Sequence, residues 1–297
     1  MNLEFKAKRP REMFYVICLC VLSIFGMFVS TNLVDSYTWD KILFSLFTVI
    51  IIYQLYYMMA VETLKYSIDE NGIEIIRFFG LKKTFIPQRD ILGYLYKDTK
   101  ISGVKLSGYS LANINYGKCF EDTIGLCKLF LTSSHNNFYI VTKDITYVIS
   151  PADIDKFNEK LDKISSTVEN FKRFPKQGKL ELYKDKQFMI PFLLTSFLCI
   201  ISVATPLALY GLNMLPQIMP LKFNSLFQPV LIGTGKQFAS TQMFYGVGAM
   251  ALLMCMYYAT HFTAKFDKRS SYKYIYIALL VVVMVLIVQF RILYKYL

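Results

Sequence analysis

Residues 13–34 read MFYVICLCVLSIFGMFVSTNLV, 22 positions from Met13 to Val34 without a charged side chain. A helix of about 20 apolar residues crosses the hydrocarbon core of a bilayer, so this stretch is read as a membrane span. Its basic lead-in (Lys6, Lys8, Arg9, Arg11) also suits a secretory signal peptide. The run is longer than the roughly 7–15 residues of a signal core, however, and no small-x-small cleavage site ends it. Working outward, Ile42–Val61 gives a second uncharged run, after the short connection 35–41. A third starts at Phe188 and reaches about Leu212; its Pro191 and Pro206 are tolerable where neighbouring helices re-satisfy freed backbone groups. Met243–Phe262 is the fourth, and Tyr274–Phe290, the shortest, is the fifth.

The composition fits that reading. Apolar residues make up 55% of the 297, and charged residues only 18%, against about 25% in an ordinary soluble protein. With 25 Phe and 22 Tyr the chain is not intrinsically disordered. Six Cys, four of them (Cys18, Cys20, Cys199, Cys255) inside apolar runs, do not make a secreted disulfide scaffold. Orientation follows from Lys and Arg in the short loops. Residues 1–12 and 264–273 hold four each, whereas 35–41 holds one and 213–240 holds two. The split predicts a multi-pass cell-membrane protein with a cytoplasmic N-terminus, a cytoplasmic segment 62–187 and an outer loop 213–240. Arg291 and Lys295 then fall outside, which argues against the fifth span or for a snorkelling end.

Segment 62–187 carries 20 basic and 16 acidic residues and reads as a soluble, mostly β domain. Asn71-Gly72 between the alternating runs from Tyr66 and Ile73 is a strong hairpin signal. Further strands are expected at 83–86, 128–132, 138–142 and 146–150. Ser150 as N-cap with Pro151 at the first helical position predicts a closing helix through Phe157, Leu161 and Ile164. The expected organisation is a two-span hairpin (1–61), the β domain (62–171), a basic linker (172–187) and a three-span region (188–297).

The order Asn71-Gly72-Ile73-x-Ile75, then Gly103, Gly108, Gly117 and Gly125, then the run from Tyr139 through Ser150-Pro151-Ala152-Asp153 to Phe157 resembles a bacterial pleckstrin-homology-like (PH-like) domain. The resemblance covers about 110 residues and implies a seven-stranded, helix-capped barrel, without implying phosphoinositide binding. The fold class is then membrane α-helical, with about five spans and an inserted cytoplasmic β-rich PH-like barrel carrying a C-terminal helix.

A second resemblance follows the third span. Met214-Leu215-Pro216-Gln-Ile-Met-Pro220-Leu-Lys222-Phe223-Asn224, followed by Gly233-x-Gly235-Lys236, is similar to the extracytoplasmic motif of SdpI-type toxin-immunity membrane proteins. Lys222 stands where that motif has His, and the Asp that follows its Gly is absent. The resemblance points to Leu215, Pro216, Pro220, Lys222, Phe223, Asn224, Gly233 and Lys236 as toxin- or partner-binding residues. Independently, an apolar loop with two lysines and no acid suits a bilayer surface or an amphipathic peptide. An ordinary interfacial loop fits as well.

Catalytic material is sparse. His135 and His261 have no second His or Cys at metal-ligand spacing. Cys119 and Cys127 read as core thiols, and Gly233-Thr-Gly235-Lys236 lacks the earlier glycine of a phosphate loop. No catalytic residue, metal or cofactor is therefore expected. The first four spans hold no charged residue, which disfavours a proton- or ion-coupled transporter; Gln54 is their main buried polar candidate. Lys172, Arg173, Lys176, Lys179, Lys184 and Lys186 precede the third span and are expected on the anionic inner leaflet, or are plain positive-inside flanks. Nucleic acid is not an expected partner, because the +12 net charge is spread over both membrane faces. The expected function is non-enzymatic self-protection (immunity) against a membrane-active peptide toxin or bacteriocin. The alternative is a membrane-tethered scaffold whose PH-like domain recruits a cytoplasmic partner.

Overall fold

The computed structural model describes residues 3–8, 12–34, 36–99, 101–168, 182–224 and 226–297. The chain opens with strand β1 (Leu3–Lys6) and helices α1 (Met13–Leu33) and α2 (Tyr37–Glu62). Nine strands follow: β2 (Lys65–Asp69), β3 (Gly72–Arg77), β4 (Lys82–Pro87), β5 (Ile91–Lys97), β6 (Val104–Leu111), β7 (Ile114–Glu121), β8 (Gly125–Leu131), β9 (Asn137–Thr142) and β10 (Thr146–Ile149). Then come α3 (Ile154–Asp162), α4 (Lys186–Gly211), the hairpin β11 (Ile218–Phe223) and β12 (Pro229–Thr234), α5 (Gly235–Ala264), α6 (Lys268–Ser271) and α7 (Lys273–Tyr296). Five helical stretches, the last running from Lys268 to Tyr296, are long and apolar enough to cross a membrane. Two compact units result, one made of residues 1–22 and 51–177, the other of 23–50 and 178–297.

The first unit is the β-rich domain. It is not a seven-stranded barrel: a four-stranded sheet β1-β2-β3-β4 packs with a six-stranded sheet β5-β9-β10-β8-β7-β6. The boundary expected at residue 62 also fails, because β1 lies ahead of both long helices and pairs antiparallel with β2, Leu3 opposite Ile68 and Lys6 opposite Lys65. Phe5 of β1 enters the core against Phe157 of α3, ring centres 5.2 Å apart, together with Tyr66, Ile73, Phe130 and Phe138. Such a core, shared by both sheets and one helix stripe, is what makes the unit one domain.

Two further expectations are corrected here. Ser150 does not cap α3; its hydroxyl is buried and accepts the Thr132 N–H at 2.9 Å, while Pro151 bridges to Ala7 of the N-terminal segment. The cap is Asp153, whose carboxylate accepts the Lys156 N–H. The glycine-rich middle forms strands β6 and β7. Gly108 and Gly117 face each other across that pair at φ +99° and +134°, and a Cβ on either collides with the partner strand's backbone. Only glycine is comfortable there.

In the second unit α4, α5 and α7 pack around a buried cluster that includes Phe188, Leu253, Ile275 and Val282, with small and polar residues where the backbones come closest. A Cβ on Gly246 of α5 falls 2.6 Å from Val203 Cγ2 and 2.7 Å from Ser202 Oγ of α4, so the two backbones approach closely. Pro206 has no N–H for the carbonyl of Ser202, four residues earlier. Gln289 of α7 supplies the missing donor: its Nε2 donates to Ser202 O at 3.1 Å, with both residues fully buried. The expected loop 213–240 is shorter than anticipated, since α5 starts at Gly235.

Candidate functional site

The β11–β12 hairpin is built by its ends. Asn213, at φ +54°, closes α4 in the left-handed conformation usual after a helix. Thr234 opens α5 with a capping box: its hydroxyl accepts the Gln237 N–H and the Gln237 side chain accepts the Thr234 N–H. Between these ends β11 and β12 pair antiparallel, with a shift of register between Pro220 and Lys222.

Its tip is held by a cluster of rings and cations. Phe223 stacks on Phe227 at 4.7 Å, and Tyr37 of α2 lies 4.7 Å from Phe227 on another side. Arg291 sits 4.5 Å from the Phe227 ring and donates to the Tyr37 hydroxyl; Lys295 sits 5.1 Å from the same ring. Phe227 itself holds φ +60°, a strained conformation for a bulky residue, and these contacts offset that strain. The two charges near the end of α7 are thus engaged with aromatic faces.

The eight residues singled out here separate into distinct roles. Phe223 and Pro220 are buried and belong to the packing of the hairpin. Asn224 makes the turn, its Oδ1 accepting the N–H groups of Leu226 (3.1 Å) and Gln228 (2.8 Å). Gly233 leaves space that Leu221 and Gln237 fill, and Leu215 and Pro216 are half-buried beside Gly235. Lys222 and Lys236 are exposed, at opposite ends of the hairpin. Five large apolar side chains are exposed along it: Ile218, Val230, Leu231, Ile232 and, at the tip, Leu226. A two-stranded ribbon with exposed apolar side chains and unpaired edges can accept another strand or lie on an apolar surface.

Of the basic residues before α4, Lys172, Arg173, Lys176 and Lys179 lie outside the described residues. Lys186 begins α4, and Lys184 lies over the Tyr183 ring at 5.6 Å. A basic group that sequence reading missed sits inside the β domain. Lys118 and Lys128 are directly opposite on β7 and β8. Near them the buried Arg77 donates to the Tyr116 hydroxyl (2.7 Å) and to Thr84 (2.6 Å) and stacks over Phe130. Burial, and then the charges of Arg77, Lys118 and Lys82, hold the Lys128 ammonium below its ordinary value. The group forms only when Arg77 of β3 meets the β7–β8 pair some forty residues later in the chain, so no local run of sequence announces it. Cys119 and Cys127, also cross-strand neighbours, are buried in a small core on the opposite face of the same sheet. Among the described residues, no three His, Cys, Asp or Glu side chains come together as metal ligands.

Comparison with known proteins supports the first resemblance. The family described as Bacterial PH domain matches residues 64–165. An uncharacterized protein of Clostridium acetobutylicum is 34% identical over 245 residues, which cover 82% of each chain. The chain belongs to that protein's family. Its similarity extends well beyond the PH domain, so the family is defined by more of the chain than the matched 102 positions. No solved structure matches, and nothing among these relatives supports the SdpI-type motif.

Proposed function

We propose that this is a multi-pass cell-membrane protein that binds a membrane-active amphipathic peptide at the β11–β12 hairpin, without catalysis, and thereby protects its own cell. The N-terminus and the PH-like domain lie in the cytoplasm in this reading, and the hairpin lies outside. The observation that carries it is the hairpin: five exposed apolar side chains and the exposed Lys222 and Lys236, on a ribbon with open edges. Exposed apolar area of that kind, rimmed by charge, is the usual surface of an interaction site. Two lysines without a nearby acid in residues 213–240 favour a peptide with acidic groups on its polar side.

Expression in a sensitive strain tests it. Tolerance to at least one peptide in a panel of membrane-active toxins should rise, and fall again in Lys222→Glu/Lys236→Glu. Unchanged tolerance across a broad panel ends the reading.

One observation favours the scaffold reading as a rival. Strand β4 is an edge of its sheet and leaves Phe85 half exposed, a surface that could take a strand from a cytoplasmic partner. Removing residues 213–240 separates the two: protection is lost in the first, and partner recruitment survives in the second.

A further inference from the structure

The feet of α1 and α2, where the chain passes between long helix and β domain, enclose two adjoining cavities. One, of about 400 Å³, lies between β1, the end of α2 and the β3–β4 turn. Four lysines line it, Lys6, Lys8, Lys65 and Lys83, against two acids, Glu4 and Glu62. Glu4 pairs with Lys65 at 3.1 Å, and Lys83 with Glu74 at 3.4 Å. Lys6 and Lys8 are exposed and stand against Glu62 alone, which leaves the chamber net positive. The second cavity, of about 300 Å³, is walled by Met13 and Ile17 of α1 and by Met58 and Met59 of α2. The two share Glu62, Thr63 and Phe79.

The β3–β4 turn between them is strained. Phe78 and Phe79 hold φ +50° and +55°, and Phe79 and Leu81 are 86% and 92% exposed. The Thr63 hydroxyl fixes this turn to the foot of α2 by accepting the Phe78 N–H at 2.7 Å. Strain held against water by a specific hydrogen bond, with two large apolar side chains left outside, suits insertion into an apolar phase.

A charged chamber opening onto an apolar one, beside helices of membrane-spanning length, matches a molecule with an anionic head and a hydrocarbon tail. We propose that this double cavity binds one anionic glycerophospholipid. The headgroup phosphate meets Lys6 and Lys8, and an acyl chain lies along Met13, Ile17, Met58 and Met59. Phe79 and Leu81 enter the same leaflet. Most of the residues that line this site precede residue 64, and the matched PH domain supplies the rest, Lys65, Phe79 and Lys83 among them. The inference rests on the reading that α1 and α2 cross a bilayer, which resistance to alkaline carbonate extraction tests separately. It does not depend on what the hairpin binds.

The test is native mass spectrometry on the delipidated full-length protein in mild detergent, titrated with dioleoyl phosphatidylglycerol or dioleoyl phosphatidylcholine. At about fivefold per lysine, the anionic lipid should bind about twenty-five-fold tighter. Lys6→Gln/Lys8→Gln should abolish that preference, and Met59→Trp, which fills the apolar chamber, should weaken both lipids. Glycerol 3-phosphate at equal concentration should displace neither. Equal binding of the two lipids by the unaltered protein would overturn the inference, and that comparison needs no variant to fold. It is equally overturned by a preference that survives loss of both lysines, by Met59→Trp without effect, or by displacement with glycerol 3-phosphate, which would mark a site for soluble anions. Loss of the lipid preference with toxin tolerance intact removes this site and leaves the hairpin reading standing.

Discussion

The contact between Gln289 and Ser202 makes a sharp prediction about the helix bundle. Pro206 leaves the Ser202 carbonyl without its helical donor, and Gln289 Nε2 fills the vacancy at 3.1 Å from a fully buried position. Gln289→Leu keeps the volume and removes the donor. An orphaned buried carbonyl costs about 1–3 kcal/mol. Against that, the Gln289 Oε1 is itself buried without a partner, so the substitution also removes one unsatisfied acceptor. The net loss should be about 1 kcal/mol, between the average of about 0.6 and the maximum of about 1.7 kcal/mol for interhelical hydrogen bonds in a membrane protein. The test of mechanism is the background. Pro206→Ala returns an N–H to the Ser202 carbonyl, so Gln289→Leu should then cost nothing or be stabilising. A double-mutant cycle on unfolding midpoints of the purified protein in detergent isolates the coupling, because whatever Pro206→Ala does alone cancels. An equal cost for Gln289→Leu in both backgrounds would refute the reasoning and leave Gln289 a simple packing residue.

Three other predictions concern the β domain. Phe5→Ala should cost about 3–5 kcal/mol, because Phe5 is buried on Phe157. Glu4→Ala, which loses only an exposed ion pair to Lys65, should cost under about 1 kcal/mol; pulse proteolysis in urea that finds both equally mild would detach β1 from the domain. Glu121→Gln should stabilise the domain at pH 7. Burial raises the Glu121 carboxyl, and Lys97 at 3.7 Å only partly opposes it. A folded value above the unfolded one means the contribution favours folding at low pH and is lost as pH rises through the folded value. The gain from Glu121→Gln should therefore shrink toward about pH 4; a loss of stability at pH 7 would show that the Lys97 pair prevails. Lys128→Met should also stabilise at pH 7, since burial and neighbouring cations depress the ammonium. Here the penalty is full below the folded value and fades as pH rises toward about 10, so the stabilisation should be smaller in unfolding measured at pH 10 than at pH 7.

The long helices were legible because hydropathy is a local property: each apolar run coincides with one of the helices observed, none passing its helix by more than one residue, and most of the helices extend past their runs by polar residues at their ends. Asn71-Gly72 was legible for the same reason, since a two-residue turn carries its own signal. What failed was everything decided at long range. Strand β1 is four residues inside a basic lead-in, and its partner β2 is about sixty positions away. Ser150 and Asp153 are both good caps; the bridge from Pro151 to Ala7 decides between them, and no feature near residue 150 reports it. At the hairpin, Lys222 and Phe223 are neighbours in sequence yet face opposite ways. The strand pairing shifts register at Lys222, and a segment read as an irregular loop carries no signal of such a shift. The basic group of Arg77, Lys118 and Lys128 needed three strands to meet before it existed.

The strand that sequence reading missed also constrains sidedness. Pairing of β1 with β2 requires residues 3–6 and 65–69 to share one aqueous phase. If α1 and α2 cross a bilayer, they therefore cross it as a pair, whatever the charge count says. The same logic holds in the second unit, where Arg291 and Lys295 at the end of α7 meet the hairpin that joins α4 to α5. If α4, α5 and α7 cross a bilayer, they make three crossings that end on the hairpin's side. Two basic residues in the last turns of α7 looked like an objection to that count on the positive-inside rule. Both are engaged by aromatic rings, Arg291 by Phe227 and Tyr37 and Lys295 by Phe227, and so hold the hairpin tip. Residues 1–12 and 264–273 keep the positive-inside bias, with four basic residues each.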